Sequence, residues 1–120
     1  MGEKLGVIGL GKMGLALARQ MMNSGHQLFG YDNDPERMNL FEGEGGTPVS
    51  SSKILAENCD ITFSILLKSE HINENIIGPN GIVQADKEGL IHVEMSTMPS
   101  AFQIALAEKL SGYGIEMLDA

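Results

Sequence analysis

Apolar positions run along this chain in two alternating rhythms. Short apolar stretches at Lys4 to Ile8, Leu28 to Tyr31, Ile61 to Leu67, Leu90 to Glu94 and Ile115 to Leu118 read as strands covered on both faces. Between them the spacing turns helical. Met13, Leu17, Ala18 and Met21 recur at i, i+4, i+5 and i+8, a helix that Ser24-Gly25 closes with a left-handed cap. Asp34-Pro35 supplies an N-cap and a first-turn proline for a helix through Arg37 to Glu42, ended by Gly43 and Gly45-Gly46. Thr47-Pro48-Val49 reads as a brief third strand, its proline suiting a sheet edge or a strand end. Ser50 to Ser52 cap a short helix through Ile54, Leu55 and Ala56; Ser69 to Ile77 and Pro99 to Leu110 supply two more.

Strands joined by helical crossovers predict an α/β fold. Right-handed connections leave few topologies, and the expected one is a doubly wound parallel sheet of about six strands in the order 3-2-1-4-5-6. Its ligand crevice lies at the carboxyl ends of the strands, where the order reverses.

Composition narrows the chemistry. A length of 120 residues suits one domain, and 42% hydrophobic content without Trp predicts an aliphatic core. A formal net charge of -8 with no basic stripe excludes a nucleic-acid partner of the phosphate-neutralising kind. No apolar run approaches the roughly 20 residues of a membrane helix, so no membrane association is expected. Cys59 stands alone, which excludes an internal disulfide and fits a reducing cytoplasm. His71 and His92 have no Cys or His at metal-ligand spacing, so no metal is expected, and His26, between a helix cap and a strand, is read as structural.

The segment with the most chemistry in it is Gly9-Leu10-Gly11-Lys12-Met13-Gly14, between a buried strand and a helix. Gly9 permits the tight turn, Gly11 lets a pyrophosphate approach bare backbone, and Gly14 lets the helix pack closely on the strand. Amides at the helix start and the helix dipole then favour phosphate. The bland alternative is a glycine-rich strand end, but strand, turn, helix and second strand occur in the order that a dinucleotide site needs. Asp32 ends the second strand, where a carboxylate accepts hydrogen bonds from the adenosine ribose and repels a 2′-phosphate. NAD is therefore expected over NADP, with Arg37 nearby leaving NADP open. At the other end of the sheet Ser96-Thr97 follows the fifth strand; either hydroxyl is a natural N-cap and either faces the same crevice.

Gly9 to Gly14, Ser24-Gly25-His26, Tyr31-Asp32, the Ser96-Thr97 turn and Leu118-Asp119-Ala120, in this order, resemble the β-hydroxyacid dehydrogenases, the group of the 3-hydroxyisobutyrate and 6-phosphogluconate dehydrogenases. The resemblance implies a Rossmann domain covering residues 1–120 and an oxidoreductase moving hydride between NAD(P) and a small 3-hydroxy acid. It assigns Gly9, Leu10, Gly11, Lys12, Met13 and Gly14 to the pyrophosphate turn, Asp32 to the ribose, and Leu66 and Leu67 to a loop beside the cofactor. Ser96 matches the hydroxyl near the substrate carboxylate, and Thr97 its neighbour near the nicotinamide. In such enzymes a helical domain carrying the catalytic lysine follows; this chain is expected to hold the cofactor half alone, to be inactive by itself, and to expose an apolar patch near its last strand.

The chain departs from that family at three places. Glu94 stands for the usual Asp, Leu67-Lys68 for Pro-Asp, and Pro99 comes one residue early after the Ser-Thr turn. Two other readings stay open beside the dehydrogenase: a non-enzymatic NAD-sensing or protein-interaction module, and a relative of the imine reductases, against which Asp32 argues. Homodimer formation is left open.

Overall fold

Val7, Ile8 and Leu10 lie at the centre of the molecule with almost no exposure because β1, Lys4–Ile8, has a strand on each side and helices on both faces. The computed structural model describes residues 3–119. From β1 the chain runs through α1 (Lys12–Asn23), β2 (Gln27–Tyr31), α2 (Pro35–Gly43), β3 (Thr47–Pro48) and α3 (Ser52–Glu57). It continues through β4 (Ile61–Ser64), α4 (Ser69–Ile76), a single 3-10 turn at Ile82–Gln84, β5 (Ile91–Glu94), α5 (Ser100–Gly112) and β6 (Glu116–Asp119). All neighbouring strands are parallel, in the order β3-β2-β1-β4-β5-β6 expected from the crossovers.

Two hydrophobic clusters sandwich the sheet. One joins Leu5, Val7 and Leu28 to Leu15 and Ala18 of α1 and Phe41 of α2; the other joins Ile8 and Phe29 to Leu55 of α3, Ile72 and Ile76 of α4, and Leu106 and Leu110 of α5. Each fully buried Leu or Ile contributes on the order of 1.5–3 kcal/mol. On the first of these faces α1 packs against β1 and β2, and α2 against β2 and β3. Further along it the apolar side chains emerge: Ile91 and Val93 are only half-buried and Leu118, paired with Val93, is 47% exposed.

Local signals set the helix ends. The Asp34 carboxylate accepts from the Glu36 amide, and the Ser51 hydroxyl from the Ile54 amide at 3.1 Å. Because α3 has only 6 residues, its cap carries a large share of its local stability. Ser51→Ala is expected to cost about 1 kcal/mol, read as a lower urea midpoint at unchanged slope.

The structure corrects four sequence expectations. The buried face of α1 is Gly14, Leu15 and Ala18, with Met13 67% exposed, so the apolar stripe is rotated from the one that starts at Met13. β4 stops at Ser64, not Leu67. Hydrophobicity cannot separate a strand from a loop that lines a cleft, and the last registered pair of β4 with β5 is Ser64 with Glu94. α5 begins at Ser100 with Pro99 in the N-cap position, so neither Ser96 nor Thr97 caps it. The 3-10 turn at Ile82–Gln84 has no periodic signal in the sequence and was not expected.

Candidate functional site

A cleft opens at the carboxyl ends of β1, β2 and β4, where the strand order reverses. Gly9 and Gly11 form its floor, Tyr31, Asp32 and Asn33 one side, and Ile65 to Lys68 with His71 and Glu74 of α4 the other. The three glycines differ in what surrounds them. Gly9 has φ +95, a left-handed conformation open to glycine, and a Cβ there would run into the Ile65 carbonyl. A Cβ on Gly14 would collide with the carbonyl of Gly9, so this residue lets α1 sit directly on the turn. At Gly11 a Cβ would meet nothing within 4 Å. That space lies open at the N-terminus of α1, where the backbone amides of a helix start favour negative charge.

Asp32 locks the turn to β2. Its Oδ2 accepts from the Leu10 amide at 2.8 Å and its Oδ1 from the Asp34 amide at 2.9 Å. The carboxylate is half-buried at the cleft wall, with acceptor capacity left for a diol. Negative charge faces the cleft from both walls: the Tyr31 phenol is pushed up by burial and then by the charges of Glu74 and Asp32.

Of the residues singled out in the sequence, the cleft brings together Gly9, Gly11, Asp32, Leu66 and Leu67, the last 96% exposed. Leu10 is fully buried and offers the site only its amide, already given to Asp32. Lys12 and Met13 are exposed in the first turn of α1 without lining the cleft, and Gly14 lies buried beneath. Ser96 and Thr97 lie beyond the walls of the cleft, Thr97 exposed. Ser96 is nevertheless tied to it, because its hydroxyl accepts from the Leu66 amide at 2.8 Å. His71 and Glu74 were missed by the sequence reading. Their i, i+3 spacing on the first helix after the β4 loop puts them on one face, and that spacing was the available signal.

Behind the cleft lies a second feature that the sequence reading took apart residue by residue. Thr62, Ser64, His92 and Glu94 are fully buried polar residues, on paired positions of β4 and β5. Burial works against the Glu94 charge, yet the hydrogen bond and charge of His92, then the Ser64 hydroxyl and Ser96 amide, hold its carboxyl below the ordinary 4.5. Cys59 is inert by contrast, its thiol pushed up to about 12 by burial and by the charge of Asp60. Among the described residues no group of three or more His, Cys, Asp or Glu is placed to hold a metal, and no helix is long and apolar enough to cross a membrane.

The family described as the NAD binding domain of 6-phosphogluconate dehydrogenase matches residues 4–120. L-threonate dehydrogenase of Cupriavidus necator is 32% identical over all of this chain and 40% of its own length. Human mitochondrial 3-hydroxyisobutyrate dehydrogenase is 34% identical over 97% of this chain and 34% of its own. The human cytokine-like nuclear factor N-PAC is 28% identical over 98% of this chain and 21% of its own. Among solved structures, a variant imine reductase from Myxococcus stipitatus in complex with NAD+ superposes with a TM-score of 0.91 at 19% identity, over 99% of this chain and 40% of that one. The chain thus spans well under half the length of each of these relatives.

Proposed function

The chain belongs to the family of NAD binding domains of 6-phosphogluconate dehydrogenase, and from that premise we propose that it is the cofactor-holding domain of an NAD-dependent oxidoreductase acting on a small 3-hydroxy acid. The observation that carries this reading is the pairing of Asp32 with the open backbone at Gly11. One carboxylate fastens the turn through the Leu10 amide and faces the cleft, and the neighbouring helix start leaves room for a pyrophosphate.

In this reading the Gly9 to Gly14 turn binds the pyrophosphate and Asp32 the adenosine ribose, NAD being preferred over NADP. Leu66 and Leu67 keep water from one side of the cofactor, with Thr97 toward the nicotinamide and Ser96 toward the substrate carboxylate. Bound NAD supplies the hydride acceptor. Matches to relatives named L-threonate dehydrogenase and 3-hydroxyisobutyrate dehydrogenase support a hydroxy acid as the donor. The proposal places proton transfer on a lysine outside the part of such enzymes that these residues match.

Calorimetric titration with NADH and NADPH tests the cofactor step. Saturable NADH binding, tighter than NADPH, is expected; no heat at millimolar NADH from a chain whose circular dichroism shows it folded would overturn the reading. A second reading, a nucleotide-sensing or interaction module, draws on the match to a relative named as a nuclear factor instead of a dehydrogenase. NADH binding without oxidation of any 3-hydroxy acid by the protein purified from its natural source would favour it.

A further inference from the structure

The buried polar residues on β4 and β5 form one connected chain of hydrogen bonds that ends at the cleft. Thr62 Oγ1 lies 2.8 Å from His92 Nδ1, and His92 Nε2 lies 2.9 Å from Glu94 Oε1. The Ser64 hydroxyl donates to the same Glu94 Oε1, and Glu94 Oε2 accepts from the Ser96 amide at 3.2 Å. The Ser96 hydroxyl, fixed in turn, accepts from Leu66 N–H at 2.8 Å and reaches the Ser64 carbonyl at 3.5 Å.

The proton count is consistent. A carboxylate only accepts, so His92 Nε2 carries its hydrogen toward Glu94, and the Thr62 hydroxyl donates to Nδ1 or accepts from it as the ring requires. Such a network is costly to bury unless every member is partnered, and here each is. An apolar pair on neighbouring strands would fill the same space without that cost. What the polar version adds is a fixed acceptor at the end of β5, aimed at the backbone of the next loop.

We propose that the His92–Glu94 pair is a positioning device for the cofactor cleft: Glu94 holds Ser96, and Ser96 holds the Leu66 amide, so that the loop after β4 keeps its place as the cleft wall. The role of that wall in cofactor binding rests on the function proposed above; the mechanical link from Glu94 to Leu66 does not.

Two readouts separate these parts: amide hydrogen exchange at Leu66, which needs no ligand, and NADH affinity by calorimetry. Ser96→Ala removes the last link and is expected to speed Leu66 exchange relative to core amides such as Val7 and to weaken NADH about tenfold, one hydrogen bond's worth. Glu94→Met, similar in length but without an acceptor, should do the same. Glu94→Gln should stay within about twofold of the parent, because its amide oxygen can still accept from Ser96 while its NH2 faces His92 in the other tautomer.

Unchanged Leu66 exchange in Ser96→Ala, a variant that leaves the buried pair intact, would overturn the link even if Glu94→Met failed to fold. Faster Leu66 exchange with unaltered NADH affinity would overturn its bearing on the cleft. Absence of NADH binding in the parent chain, with Leu66 exchange responding as described, would instead sink the proposed function and leave the link standing.

Discussion

Gly11→Ala is expected to keep the fold and lose the cofactor, whereas Gly14→Ala is expected to lose both. At Gly11 the added methyl meets nothing within 4 Å and the backbone, at φ -70, is one any residue adopts. Stability should change by less than about 1 kcal/mol, the modest penalty of Ala at an N-cap. The same methyl stands in the space assigned to the pyrophosphate, and NADH affinity should fall by about 100-fold or more as phosphate is pushed away from the helix start. At Gly14 the methyl would collide with the Gly9 carbonyl, and a turn whose Gly9 is itself packed against the Ile65 carbonyl has nowhere to retreat. Overpacking of side chains commonly costs about 1–3 kcal/mol, and backbone against backbone belongs at or above the upper end, a large part of a small domain's stability. Thermal melts and NADH titrations of both variants provide the check. If Gly11→Ala lowered stability as much as Gly14→Ala, or bound NADH like the parent, the division of labour among the glycines would be wrong.

That contrast also marks how far the sequence can be read. The tight turn at Gly9 and the close packing at Gly14 were legible from their spacing, because a strand-turn-helix unit with a fixed helical rise brings a neighbouring carbonyl against each of them. Strand order was legible for a similar reason, chirality permitting few alternatives. The walls of the site were less so. Ile65 to Leu67 reads as a continued strand because the same apolar residues suit a sheet and a cleft wall; what ends β4 is loss of the ladder with β5, a fact about another segment. The Thr62-His92 and Ser64-Glu94 pairings are equally nonlocal, joining residues 30 apart in sequence, so each looked like a lone polar residue in an apolar run. In the sequence Ser96 and Thr97 each suit a helix cap as well as a hydroxyl facing the crevice. Pro99 takes that position instead, which frees the Ser96 hydroxyl for Leu66.

Asp32→Asn is expected to narrow the preference for NADH over NADPH, and Glu74→Gln to narrow it further. Asp32 gives one oxygen to the Leu10 amide and the other to the Asp34 amide, so asparagine, with one acceptor oxygen, must turn its NH2 toward one of those donors. An unsatisfied donor there costs about 1–3 kcal/mol, and NADH affinity should fall on the order of 100-fold as both the ribose acceptor and the turn's anchor weaken. NADPH should lose less, because the substitution also removes a charge facing its 2′-phosphate. Glu74 lies on the opposite wall of the cleft, exposed and without that structural duty, and its charge and that of Asp32 both act on the Tyr31 phenol. Glu74→Gln alone should therefore leave stability within about 0.5 kcal/mol and NADH affinity nearly unchanged, while NADPH gains several-fold. This gain comes from relieving repulsion between solvent-exposed charges, so it should shrink as salt is raised past about 0.15 M. Paired titrations of both cofactors at low and high salt decide the matter. A double variant that kept the parent's ratio of affinities would show that shape at Asn33 and Arg37, and not charge at Asp32 and Glu74, sets the choice of cofactor.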